Sequence, residues 1–241
     1  MKTLCDRIFR VIDLILASAS PRRRQLFALG NWNFEVIVSD VDETPLENES
    51  AREYVSRLAK AKALAIRSKV KQEAVIIGSD TTVVDGQEIL GKPIDEFDAE
   101  RILKQLRGKN HQVMTGIAIY RVSDEKLVSD VCITDVPMRN YSDDEIAAYI
   151  KTGDPMDKAG AYAIQHAGFH PVSFLSGCYA SVMGLPMCHI VRGLREFDIV
   201  PNADVPMKCQ ALLSYDCHAT KEILNDKPSE VLNLRRLKEK E

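Results

Sequence analysis

Two hydrophobic periods run along this chain and predict strands and helices in alternation. Residues 13–18 form a short apolar run that reads as a strand. Ser20 followed by Pro21 then predicts a helix to about residue 29, with Ser20 as its cap and Gly30 just past its end. Residues 34–38 read as a second strand and residues 39–49 as an acidic loop. Ser50 and Glu53 form a capping box that opens a helix to about residue 68. Its apolar stripe comprises Val55, Leu58, Ala59, Ala65 and Ile66, and Lys62 falls on the same side.

Residues 74–84 predict a strand, and Asp85-Gly86 predicts a hairpin into a short strand ending near Leu90. A helix over residues 96–107 follows, then long strands over 111–122 and 126–139. A second capping box, Ser142 with Glu145, opens a helix ending near Gly153. Residues 168–182 read as strand and loop, and Gly184-Leu185-Pro186 leads into a helix ending near Phe197. Residues 201–241 read as an appendage with one or two short helices and a charged, solvated end. Interleaved elements with long adjacent strands in the middle predict an α/β protein with a mixed sheet.

A length of 241 residues with 45% hydrophobic content suffices for a packed core. The net charge of −3 provides no global basic field, so nucleic acid is not an expected partner. No apolar run spans a bilayer, so no membrane association is expected. The first twenty residues resemble a signal peptide superficially, but Asp6, Arg7, Arg10 and Asp13 break the apolar stretch. A cytoplasmic protein with reduced thiols is the expectation. The six cysteines show no paired spacing, and Cys217-His218 near Cys209 lacks an evident fourth metal ligand.

Asp80 carries the strongest chemical signal, because a carboxylate inside an apolar strand is costly unless it is paired, metal-bound or catalytic. At the first helix start, Ser20, Arg22 and Arg23 place free N–H groups and guanidinium forks together, a setting suited to an anion. Asp42 and Glu43 offer hard oxygen ligands, although from composition alone a solvated loop explains them better. Lys62 reads as a snorkelling side chain when taken by itself, and Lys92, between Gly91 and Pro93, as a turn lysine. Residues 157–165 join small residues to Gln165, whose amide can read a base edge.

Together these segments are ordered as in one family. Ser20-Pro21-Arg22-Arg23, residues 42–45, Leu58-Ala59 with Lys62-Ala63, Gly78-Ser79-Asp80-Thr81, residues 90–93, residues 157–162 and Gly184-Leu185-Pro186 resemble the Maf family of nucleoside triphosphate pyrophosphatases. The resemblance covers roughly residues 14–197. It implies a curved mixed β-sheet flanked by helices, in two lobes with a central cleft, as in inosine-triphosphatase-like proteins. The expected division is a Maf-like domain over residues 11–200 and a C-terminal extension over 201–241.

The resemblance implies cleavage of a nucleoside triphosphate between its α- and β-phosphates, with Mg²⁺ or Mn²⁺. It assigns Asp80 as the proton acceptor, with Glu43 and Asp80 as acidic metal partners. Ser20, Arg22, Arg23, Lys62 and Lys92 become substrate contacts. Arg22, Thr81 and Gln165 match the dTTP/UTP type; a 7-methyl-GTP type carries an aromatic residue, Gln and Glu at these places. The alternatives are that 7-methyl-GTP activity or a nucleotide-binding regulator of cell division. A homodimer is expected on the same ground. Two departures from the family pattern, His166 after Gln165 and Ser181 before Gly184, bear on base recognition.

Overall fold

A computed structural model describes residues 12–238 of the protein. Part of the signal-like stretch, with Cys5, Asp6, Arg7 and Arg10, lies outside the described residues, as do the boundary at residue 11 and the last three residues of the charged end.

The first βα unit follows the local signals. Strand β1 (Leu14–Leu16) is fully buried, and helix α1 (Pro21–Phe27) starts where the Ser20 side chain accepts from the Arg23 N–H. Strand β2 is Phe34–Val36, and helix α2 is Ala51–Ala65, closed by the reciprocal Ser50–Glu53 capping box. Strand β3 (Val75–Asp85) turns at Gly86, whose φ of 64° is easy only for glycine, into strand β4 (Glu88–Leu90). Helix α3 (Glu96–Leu106) is capped by Asp95. Strands β5 (Asn110–Arg121) and β6 (Lys126–Pro137) form the long antiparallel pair, and helix α4 (Asp143–Ile150) follows the second capping box.

Beyond α4 the sequence reading needs correction. Residues 168–182 hold no extended strand; one bridge joins Val172 to Met138, and helix α5 (Tyr179–Val182) takes the end. Backbone groups there are satisfied from outside the segment, Ser173 N–H by Pro137 O at 2.9 Å and Gly177 N–H by the Tyr215 hydroxyl at 3.0 Å. Helix α6 is Met187–Arg195. The tail carries helices α7 (Val205–Leu213) and α8 (Thr220–Asn225), strand β7 (Glu230–Asn233) and helix α9 (Leu234–Lys238), more structure than one or two short helices. Ala65, placed on the buried stripe of α2 by its spacing, is exposed at the helix end.

The sheet runs β2-β1-β3-β5-β6-β7, with β4 also pairing β3. The β2, β1 and β3 strands are parallel, and β3, β5, β6 and β7 are successively antiparallel, so the sheet is mixed as expected. Its central strand β3 is shared. Val75–Ile77 pair with β1, while Val83–Asp85 pair with β4. Between these contacts one edge of β3 has no neighbouring strand among the described residues, and Asp80 sits in that interval.

Three apolar clusters fill the molecule. One joins β1, α1, α5 and α6 beneath one sheet face, around Phe27, Ile77, Ile190 and Phe197. A second lies under α2 on the other face, around Ala59, Ala63 and Ile76. The third gathers at the far end of β3, from α3 and α4, around Val83, Leu103, Tyr141 and Tyr149. The hydrophobic cores thus lie on either side of the Asp80 interval, in accord with the expected lobes.

Candidate active site

Glycines bring α2 onto the sheet. A β-carbon on Gly78 would lie 2.2 Å from Ala59 O, and one on Gly116 would lie 2.3 Å from Val55 O. No other residue permits that approach without displacing backbone. Gly78 and Asp80 are two apart on β3 and share a face. Lys62 is one turn past Ala59 on α2. The close crossing therefore sets the Lys62 ammonium directly against Asp80.

The ammonium lies 2.6 Å from Asp80 Oδ1 and 2.6 Å from Glu43 Oε1. Lys62 and Asp80 are only 9% and 6% exposed. Lys62 is thus buried in a shared ion pair and does not snorkel to solvent. The other Asp80 oxygen accepts no hydrogen bond among the described residues. Burial pushes the Asp80 carboxyl above its ordinary range, and the Lys62 and Arg23 charges pull against that. Burial acts the same way on Glu43, but the Lys62 hydrogen bond and charge, helped by Lys92 and Arg23, hold its carboxyl below the usual value.

Glu43 stands on the loop before α2, and α2 itself fixes that loop. The Tyr54 hydroxyl donates to Glu43 O at 2.8 Å, and Arg57 donates to Thr44 O at 3.1 Å while gripping Glu49. Burial, with the Asp80 and Glu43 charges, pushes the Tyr54 phenol up to about 12, so it stays a donor at neutral pH.

The opposite face of β3 holds the arginine. Arg23 Nε donates to Gly184 O at 2.8 Å, Nη2 to Thr81 Oγ1 at 3.1 Å and Nη1 to Ser18 Oγ at 3.3 Å. Ser79 Oγ donates to the same Gly184 carbonyl at 2.9 Å. Thr115 bonds Thr81 at 2.9 Å and donates to Ser181 O at 2.8 Å. Through these bonds α5 and the turn after it orient the guanidinium. Burial lowers the Arg23 value, the Asp80 charge opposes that, and the neighbouring Arg22 charge adds to the lowering. Arg22 makes no ion pair or hydrogen bond among the described residues and is half-buried.

The structure thus gathers Arg23, Lys62, Asp80, Thr81 and Glu43, with Arg22 and Lys92 within electrostatic reach. Lys92 is exposed in a turn tied to the following lobe by Gly160 N–H donating to Gly91 O at 3.0 Å. Gly160 has a φ of 72° and packs against Val83, so the small residues of that segment serve close approach. Ser20 acts as the α1 cap. Gln165 is exposed in a turn and makes no contact with the Asp80 group among the described residues. His166 packs against Tyr149 at a tilt of 59° with ring centroids 4.7 Å apart and accepts from Phe169 N–H at 3.0 Å. Sequence reasoning gave no role to Tyr54, Ser79 and Thr115. A polar residue in an apolar strand was the available signal for Ser79 and Thr115; Tyr54 gave none.

The Maf-like protein family model matches residues 13–197 of the chain. The chain belongs to the Maf family. Among its relatives, a dTTP/UTP pyrophosphatase of Geobacter sulfurreducens is 43% identical over 183 residues, 76% of this chain and 95% of that protein. Another dTTP/UTP pyrophosphatase, from Geotalea uraniireducens, is 45% identical over 188 residues, 78% of this chain and 96% of that protein. The solved Staphylococcus aureus Ham1 protein is a distant likeness, with 14% identity, a TM-score of 0.40, and 67% of this chain and 80% of that one covered.

Asp80 and Glu43 are hard oxygen donors that share one ammonium, so the three groups together carry a net negative charge suited to a divalent cation. Among the described residues no three His, Cys, Asp or Glu side chains are grouped to hold a metal by themselves. A cation here would complete its shell with water and substrate oxygens, as Mg²⁺ ordinarily does.

Proposed function

We propose that this Maf protein is a cytoplasmic nucleoside triphosphate pyrophosphatase that hydrolyses dTTP and UTP to the monophosphate and pyrophosphate, using Mg²⁺ or Mn²⁺. One observation carries the chemistry: a buried carboxylate, Asp80, paired through one oxygen only, beside Lys62 and Arg23. The substrate follows the names of the relatives aligned over nearly their whole length.

In this reading the unpaired Asp80 oxygen takes the proton of a water that attacks the α-phosphorus. The bond from that phosphorus to the bridging oxygen breaks, and pyrophosphate leaves with the electron pair. Lys62, Arg22, Arg23 and Lys92 stabilise charge on the phosphate oxygens. Arg23 does so from a pose fixed by Gly184 O and Thr81, which removes its need to reorganise. Glu43 and Asp80 would hold the cation, which neutralises phosphate oxygens when bound. Gln165 reads the pyrimidine edge once the base has entered beside its turn. Removal of surplus or modified pyrimidine triphosphates is the resulting role.

The test is pyrophosphate release from dTTP, UTP, CTP, GTP and 7-methyl-GTP with Mg²⁺. Release from dTTP and UTP, lost in Asp80→Asn, is expected. Release from 7-methyl-GTP alone would keep the mechanism and remove the pyrimidine assignment. Nucleotide binding without release from any substrate would make the protein a nucleotide-binding regulator.

A further inference from the structure

The cysteines have no spacing pattern in sequence, yet the fold collects them. All five in the described residues are free. Cys178, Cys188, Cys209 and Cys217 line one cavity of about 20 Å³. That space holds about one water and no organic ligand. Two of these thiols belong to the Maf-matched segment, Cys178 before α5 and Cys188 in the first turn of α6. The other two belong to the tail, Cys209 on α7 and Cys217 between α7 and α8. Tyr215 closes the joint, its hydroxyl lying 2.9 Å from Gly177 O and accepting from Gly177 N–H at 3.0 Å. Among the described residues no three of these thiols are grouped as metal ligands.

Cys188 is buried and the other three are half-buried. Cys217 also lines a surface cleft of about 440 Å³ with Asp204, Gln210 and His218, so it faces both solvent side and cavity. Cys188 is 7% exposed. Thr220, which lines the same cavity as Cys188, donates its hydroxyl to Cys217 O at 3.3 Å. Burial pushes Cys188 up to about 11 and Cys209 up to about 12, so neither starts an exchange as a thiolate at neutral pH.

We propose that Cys217 and Cys188 form a thiol–disulfide site that fastens the C-terminal tail to the Maf domain. The oxidant is a low-molecular-weight disulfide entering by the surface cleft. The Cys217 thiolate attacks one of its sulfurs, forms a mixed disulfide and expels the first small thiolate. Cys188 then attacks the Cys217 sulfur, giving the Cys188–Cys217 bond. The second small thiolate leaves and takes up the Cys188 proton. Two protein thiols are oxidised and one small disulfide is reduced to two thiols. Cys188 lies four residues after Gly184, whose carbonyl orients Arg23. The bond therefore anchors the tail to the helix that backs the candidate site.

The experiment treats the folded full-length protein with oxidised glutathione, blocks residual thiols by alkylation and maps peptides by mass spectrometry. The expected product is a Cys188–Cys217 cross-link that dithiothreitol reverses. Its formation should raise the thermal midpoint by about 5–10 °C, since it closes a loop of some thirty residues. Cys188→Ser should stop at one glutathionyl group on Cys217, and Cys217→Ser should leave Cys188 unmodified. A Cys217–Cys209 bond, a stable mixed disulfide in the unmutated protein, or an unmodified Cys217 would each overturn the proposal. Circular dichroism of both variants separates failed folding from failed exchange.

Discussion

Asp80 and Asp130 are both nearly buried carboxylates of one sheet, 6% and 4% exposed, and each meets a cation. Their surroundings differ. Asp130, on β6, has both oxygens engaged: one pairs with Arg192, the other accepts from Ser229 Oγ at 2.5 Å and from Val131 N–H at 2.9 Å. Arg192 in turn donates to Ile223 O at 3.0 Å. Those partners come from α8 and the segment before β7, so the pair fastens the tail to α6 and the sheet. Asp80 has one oxygen paired and one open, and its cation is shared with Glu43. A buried carboxylate with both oxygens engaged is a fixture, and one with a free oxygen is open to the base role proposed for it. The same residue type thus does opposite work on opposite faces of the sheet, Asp80 toward α2 and Asp130 toward α6.

The sharpest way to break this contrast is Asp80→Asn. Pyrophosphate release should fall about 10²- to 10⁴-fold, with a thermal midpoint no lower than before, because the change removes a charge that burial disfavours. A large loss of stability would make Asp80 a fixture as well. Next, Arg192→Leu strands the Asp130 charge and should cost about 3–5 kcal/mol in urea unfolding, with kcat near its original value in the folded fraction. A collapse of kcat at full folding would show that the tail clamp belongs to the chemistry.

The third measurement concerns pH. The base must be ionised, and the folded Asp80 value is raised, so activity should decline on acidification at a pH above the ordinary carboxylate range. Lys62 pulls that value down, hence Lys62→Met should move the acid limb of kcat/KM further upward. For stability the sign is reversed: a raised folded value means that ionising Asp80 opposes folding, so its contribution is lost as pH rises through that value. The smallest effect is expected for Tyr54→Phe. Losing the hydroxyl that holds Glu43 O is worth about 1 kcal/mol. It should appear as a several-fold rise in the Mg²⁺ concentration for half-maximal rate, with little change in stability.

Much of the fold was legible because its signals are local. Ser50–Glu53 and Ser142–Glu145 close capping boxes within one turn, and Asp85-Gly86 reverses the chain at one glycine. The 168–182 segment was misread because its backbone partners, Pro137 and Tyr215, are far away in sequence. Strand β7 was missed for a related reason: four residues with little alternation become a strand only when β6 offers an edge. Within the site, Asp80 announced itself by its apolar flanks. Lys62 did not, since its spacing fitted the edge of a stripe as well as a cleft.

The sequence alone determined the family and the elements as far as α4, with α6, in their order, since capping, turn chemistry and hydrophobic period act over a few residues. The tertiary structure alone decided which side chains meet. Gly78 and Gly116 let α2 approach the sheet, and that approach converts a lysine and an aspartate eighteen residues apart into an ion pair. Folding the tail back gathers cysteines from Cys178 to Cys217 around one cavity. Such meetings depend on packing between distant elements, where energy is set by shape and burial and no local pattern encodes the partner.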